Sequence, residues 1–451
     1  MSLFLLLIPV GLLLYSFWRV IRQPVFLISI VFFQVIGAGL FFDRIRPLWA
    51  PAKLLPPPLI IFSWLILLLF LYYTLTYTEF ARSGFKQILF PFVPPYDYIV
   101  LALFVLWCFS FVSSLLLYSG DADVVWTGLT YLTMFGGYFF LRNLFIKTPS
   151  KNFEDFLNFI VLVNYFVLVV FITDRLLNLQ ALSGVSYIVY DQGDSILRTF
   201  LPSNFFWLGM SYAFSRKRWG VINVAGVIIS AVAAILGGTR SLLLIALLLF
   251  VLSVFLQLIK KSNSKYWVGR TLAMLVTAGL LVAAATIFFQ ENTSYVLERI
   301  NQPGMFSIDN SDSTLSPRIS AAQDIMDLIN KDTPLLGVGF KEYPVGHTNG
   351  ISYNLFADGE WLAVLWRYGY AGVVLFALLY FWSLFESLKH YFFSTDEMSS
   401  YWLMVFLLVV ASALFGLVTW TIHNDGQYYV LALLPFTLLS VGLFKSKRRN
   451  D

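Results

Sequence analysis

Charge is what this sequence has least of. Only 12% of its 451 residues are Asp, Glu, Lys or Arg, whereas a soluble domain needs about 25% to wet its surface. A water-soluble globular fold is therefore excluded. Cysteine is nearly missing too: with Cys108 alone, no intrachain disulfide can form and no Cys-based metal site is available. The sequence holds no P-loop, no His-Glu-x-x-His zinc pattern and no dinucleotide-binding glycine pattern. Its first apolar run, residues 2–20, has neither a basic leader nor a small-residue cleavage site. It reads as a membrane span and not as a removable signal peptide.

Apolar residues, by contrast, fill 59% of the chain. They come in runs of roughly 17–25, the length needed to cross about 30 Å of hydrocarbon. The runs fall at residues 2–18, 25–42, 58–77, 98–118, 124–142, 156–173, 201–214, 219–237, 241–259, 271–289, 361–385, 401–421 and 428–444. The expected fold class is all-α: a polytopic transmembrane helical bundle of about 12–14 spans. Residues 1–451 form one membrane domain, and residues 290–360 a large external loop within it that contains short amphipathic helices. The run at 201–214 is short, and is expected to be tilted or partly buried against protein.

The basic tail Lys445, Lys447, Arg448, Arg449 belongs on the cytoplasmic side by the positive-inside rule. Alternation backward from it puts Arg142, Lys147, Arg216, Lys217, Arg218, Lys260 and Lys261 on that side as well. The external segments, residues 174–200 and 290–360, are then net acidic. This asymmetry accounts for a pI near 9.0 without a nucleic-acid partner. Alternation also places the N-terminus outside.

Ionisable groups are scarce inside the runs and collect at their outer ends. Ion-coupled carriers keep such groups within their spans despite the expense, so the pattern argues against a transporter. In the large loop, Ser316-Pro317-Arg318 has the residues of a helix start. Ile319, Ala322, Ile325, Met326 and Ile329 then share one face, giving an amphipathic helix that lies on the membrane surface or packs over the bundle.

The candidate anion ligands are arginines. Arg240 lies in Gly237-Gly238-Thr239-Arg240-Ser241, a tight hairpin between two spans at headgroup depth. Its fixed donors suit a phosphate or pyrophosphate; an interfacial anchor is the other reading. Arg318 stands in a helix first turn, where an anion is favoured and a cation is not, so it either meets a partner anion or is an exposed loop residue. Arg367, in Trp366-Arg367-Tyr368, would lie roughly 10 Å into a span beginning at Trp361; it is a ligand or part of the outer aromatic belt. Arg198 enters the run at 201–214 from outside and is a further candidate.

For a general base, His347 in Gly346-His347-Thr348-Asn349-Gly350 offers an imidazole that titrates near neutrality. Asp358 and Glu360, at the start of the run at 361–385, compete with it. His423 reads as a turn residue and His390 as a cytoplasmic surface residue. Asp121-Ala122-Asp123 has a D-x-D spacing, which as two carboxylates alone is weak ground for a metal.

Taken in order, several of these pieces resemble the O-antigen polymerase and O-antigen ligase superfamily of bacterial membrane glycosyltransferases. The pieces are Gly238-Thr239-Arg240-Ser241, Ser316-Pro317-Arg318, Pro334-Leu335-Leu336-Gly337-Val338-Gly339, Asp358-Gly359-Glu360-Trp361-Leu362 and Gly369-Tyr370-Ala371-Gly372. The resemblance covers residues 198–375. It implies an inverting glycosyl transfer that uses neither metal nor cofactor, at the periplasmic face of the inner membrane. The donor and acceptor would be undecaprenyl-pyrophosphate-linked glycans, with the pyrophosphate held by Arg240 and Arg318. A chain-length regulator protein is an implied partner. Family ligases carry His-Asn where this chain has Asp358-Gly359, a departure that favours a polymerase over a ligase. A glycan exporter is the reading from outside the enzyme class.

Overall fold

A computed structural model of the chain describes residues 96–118, 122–147, 153–177, 186–191, 194–199, 203–216, 220–236, 240–260, 323, 325–331, 333–340, 346–348, 351–353, 360–394, 396–418 and 433–450. The expected spans at 2–18, 25–42, 58–77 and 271–289 lie outside them, as does the N-terminal side. Among the described residues, nine long helices lie on the other nine runs. They are α1 (Tyr96–Leu117), α2 (Ala122–Lys147), α3 (Phe153–Leu177), α4 (Ser203–Ser215), α5 (Val221–Leu236), α6 (Arg240–Ile259), α7 (Glu360–Phe393), α8 (Asp396–Val418) and α9 (Leu434–Asn450). The chain is thus an all-α polytopic bundle. Two small antiparallel hairpins decorate it: β1 (Ser186–Asp191) with β2 (Asp194–Thr199), and β3 (Gly346–Thr348) with β4 (Ile351–Tyr353).

The environment of α1 shows why these are membrane helices. Tyr96, Val100, Leu103, Trp107, Ser110 and Ser114, spaced by threes and fours, are buried. Val105, Phe109, Val112 and Leu116 on the opposite side are exposed. A helix that is apolar all round, with one face packed and the other bare, has lipid as its natural neighbour. The outward face of α6 is built the same way from Leu244, Leu247, Leu248, Val251 and Phe255. Among the described residues, four helices (Tyr96–Leu117, Ser241–Ile259, Trp361–Phe393 and Met398–Leu417) are long and apolar enough to cross a bilayer.

α8 is the central helix and packs on α4, α6, α7 and α9. α4 resolves the short run: its residues 206–215 are all buried among α3, α5, α6 and α8. At about 20 Å it is too short to cross hydrocarbon unaided, and protein sheathes it instead. Tyr165 of α3 fills the space left by Gly209 and Gly226 and donates a hydrogen bond to the Gly209 carbonyl at 3.0 Å.

Polar contacts gather at two poles and fix the alternation. At one pole, Asp97 near the start of α1 meets Arg142 near the end of α2 at 2.6 Å. Asp97 also accepts hydrogen bonds from Tyr138 (2.6 Å) and from Ser440 of α9 (2.9 Å). At the same pole Arg216 pairs with Glu154. Lys260 donates to the carbonyls of Tyr391 and Ser394 and to Ser399. His390 stacks on Trp402 with ring centroids 4.6 Å apart, so it is a half-buried packing residue and not simply a surface one. Charge at the ends of the runs is therefore not all solvated: the Asp97–Arg142 pair is fully buried. The two residues lie 45 positions apart, and neither shows in the sequence that it needs the other.

Candidate functional site

The opposite pole is organised by a break in α7. At Gly369 the backbone takes φ 61 and ψ −162, a region essentially reserved for glycine. In an unbroken helix the Tyr370 and Ala371 N–H groups would donate to the carbonyls of Trp366 and Arg367. Here Tyr370 donates to the Pro334 carbonyl (3.0 Å) and Ala371 to that of Leu335 (3.1 Å), while the Trp366 carbonyl accepts from Val338 N–H (2.6 Å). The Pro334-Leu335-Leu336-Gly337-Val338-Gly339 stretch is thus a strap that restores the hydrogen bonds the break removes, as buried backbone requires. The approach is so close that a Cβ on Gly369 would lie 2.5 Å from the Leu335 carbonyl and from Gly337 N. Gly337 itself sits at φ 70.

Both ends of the strap are anchored. Before it, residues 325–331 form a short helix whose Ile325 and Ile329 are buried against Ala363, Leu365 and Trp366 of α7. Of the two placements expected for the amphipathic helix, packing over the bundle is the one found. Met326 departs from the expected buried face and is 41% exposed. Asn330 accepts a hydrogen bond from the Tyr370 hydroxyl at 3.0 Å. After the strap, Phe340 N–H donates to Ser114 Oγ of α1 at 2.8 Å. The Phe340 ring packs on Phe111, Tyr131 and Tyr368 at 5.5–6.0 Å.

Arg367 lies at the centre of this construction, one residue after Trp366, and is only 7% exposed. Its guanidinium carbon is 4.7 Å from the Tyr131 ring centre and 5.9 Å from that of Phe340. A belt residue snorkelling into headgroups would be open to them, whereas this one is enclosed by protein aromatics. The expected depth also changes. Residues 370–393 alone are about 36 Å long at 1.5 Å per residue, enough to cross a core of about 30 Å. The segment ahead of Gly369, Arg367 included, is surplus to that crossing.

The backbone places the remaining candidates as follows. Arg240 is the first residue of α6, whose other end meets the last turn of α7 through Lys260. Arg240 and Arg367 therefore share a pole. Glu360 is the first residue of α7. His347 is on β3 opposite Ser352, and this hairpin is tethered between Phe340 and Glu360. Arg198 is on β2 opposite Tyr187, ahead of α4, which begins at Ser203. Arg318 and Asp358 lie outside the described residues, as do the side-chain placements of Arg240, His347, Glu360 and Arg198. Among the described residues no three His, Cys, Asp or Glu side chains cluster as metal ligands.

The sequence does not show that Tyr131 and Phe340 surround Arg367. The glycines of the strap and of Gly369-Tyr370-Ala371-Gly372 were the available signal, since glycine in such places marks close backbone approach. The β3–β4 hairpin also had a signal, Asn349-Gly350, the pair most typical of two-residue connections.

Compared with known families, residues 225–377 match the family model described as O-antigen ligase. The matched segment, about a third of the chain, runs from α5 through the strap and past the break in α7. Over that segment the chain is similar to the O-antigen polymerase and ligase superfamily of membrane glycosyltransferases, the family its motifs resemble. No curated protein matches the chain.

Proposed function

We propose that this chain polymerises oligosaccharide repeat units carried on a lipid pyrophosphate, undecaprenyl pyrophosphate in the resembling family, at the non-cytoplasmic face of a bacterial inner membrane. The observation that carries the reading is the pole built by the family segment. It holds the strap seated in the broken start of α7, and α6 begins with Arg240 at the same end of the bundle, while most of the described Lys and Arg residues lie at the other pole. By the positive-inside rule that other pole is cytoplasmic, so the strap faces outward, where lipid-linked repeat units would arrive.

The chemistry is an inverting displacement. An acceptor hydroxyl oxygen attacks the donor's anomeric carbon as the bond from that carbon to the phosphate oxygen breaks, and the lipid pyrophosphate departs. Arg240 and Arg318 hold the diphosphate and stabilise the charge that grows on it. Arg318 precedes Ile325 by seven residues, a reach of at most about 25 Å, so the loop can bring it to this pole. Arg198 adds positive potential from its hairpin. His347, Asp358 or Glu360 takes the hydroxyl proton, a contribution of about 10²–10⁴-fold. A chain-length regulator is the natural protein partner of such a polymerase.

The test is elongation of lipid-pyrophosphate repeat units by purified protein in proteoliposomes. Arg240→Ala and Arg318→Ala should each lower turnover at least a hundredfold, and one of His347→Ala, Asp358→Asn and Glu360→Gln should match them. Unimpaired elongation in both arginine variants overturns the pyrophosphate assignment. A ligase is the second reading, consistent with the matched family's description; it would show single transfer of finished glycan to a lipid or protein acceptor without elongation.

A further inference from the structure

We propose that Arg367 is a positioning residue, a cationic clamp that holds Phe340 against Tyr131 and so keeps the strap seated in the break of α7. Its consequence for catalysis rests on the function proposed above. Three groups from distant parts of the chain meet: the Tyr131 ring of α2, the Phe340 ring at the end of the strap and the Arg367 guanidinium of α7. The two rings are 5.5 Å apart, and the cation lies 4.7 and 5.9 Å from their centres. Cation–ring attraction strengthens when water is excluded, and Phe340, Tyr131 and Arg367 are all nearly buried. With its guanidinium set among these rings, Arg367 is poorly presented to a diphosphate carried in the membrane.

What the clamp holds is functionally placed. The strap contributes Val338 N–H to the Trp366 carbonyl and the Pro334 and Leu335 carbonyls to Tyr370 and Ala371. Phe340 is its last fixed point before the hairpin that carries His347, which follows within six residues. Releasing Phe340 therefore frees one tether of that hairpin while leaving α1, α2 and the distal part of α7 packed. Arg367 acts on the reaction through the strap, without touching substrate.

The experiment uses the full chain in nanodiscs with three variants, Arg367→Met, Phe340→Leu and the pair combined. Hydrogen exchange is read over residues 334–340, and kcat and donor KM are read with lipid-pyrophosphate repeat units. We expect exchange over 334–340 to quicken at least tenfold in each single variant, with α8 unchanged. kcat should fall at least tenfold with donor KM within twofold of wild type. The double variant should be no worse than Arg367→Met alone, as for two parts of one clamp. Unchanged exchange over 334–340 overturns the proposal. So does a donor KM that rises with kcat intact and is rescued by Arg367→Lys, the signature of direct contact with the diphosphate. If Arg367→Met does not fold, Phe340→Leu carries the same two readouts. If wild-type protein transfers no glycan, the functional reading fails, and exchange alone decides the clamp.

Discussion

Two single residues carry unusual structural weight, for different reasons. Gly369 occupies a backbone region closed to side chains and has the Leu335 carbonyl where a methyl would go. Gly369→Ala should lower stability by about 2 kcal/mol or more, seen as a lower Tm in detergent. Asp97 is bound by Arg142, Tyr138 and Ser440 from two other helices. Removing one member of a buried ion pair strands the other charge, at about 3–5 kcal/mol. Asp97→Leu and Arg142→Met should each be severe, and the double variant milder than either, by the same thermal assay. At this scale the sequence was least legible. Arg142 could be read as basic and near one membrane face, but its partner Ser440 lies 298 positions away, and no local pattern encodes that meeting.

Among elements, the helices were the legible part. Lipid demands that a crossing segment satisfy its backbone internally, so length and apolarity alone locate it, and all nine long helices fall on expected runs. Their neighbours were not legible, because a side bare to lipid and a side packed on protein are both apolar. α4 shows this: its brevity was visible, its enclosure by four helices was not. The slot between α3 and α5 is testable. A Cβ on Gly226 would collide with the Tyr165 ring, so Gly226→Val should force the two helices apart and cost about 1–3 kcal/mol by overpacking, again read from Tm. Gly220, where nothing lies within 4 Å of an added Cβ, should tolerate alanine. Strands of three and six residues give little periodicity to detect, so the turn pair Asn349-Gly350 was the one legible mark of a hairpin.

At the scale of the whole molecule, the contacts of the two poles demand one alternation of directions among the described helices. With Cys108→Ser as background, a single cysteine at position 347 and one at 447 should react with impermeant maleimide from opposite sides of the membrane. Labelling of both from one side would refute the alternation and, with it, an outward-facing strap. The candidate site was legible in its order along the chain, since Arg240, the strap and the start of α7 all lie in the matched segment. That the strap completes a broken helix could not be read, because the hydrogen bonds involved are made by backbone atoms common to every residue. The break has a consequence for biosynthesis. Residues 334–340 leave the ribosome before α7 does, so the piece that completes the helix is synthesised ahead of the helix it completes. The N–H groups at Tyr370 and Ala371 can therefore find their acceptors as soon as α7 is inserted. A circular permutant opened between the strap and α7 would reverse that order, and should mature more slowly even where its final architecture is the same.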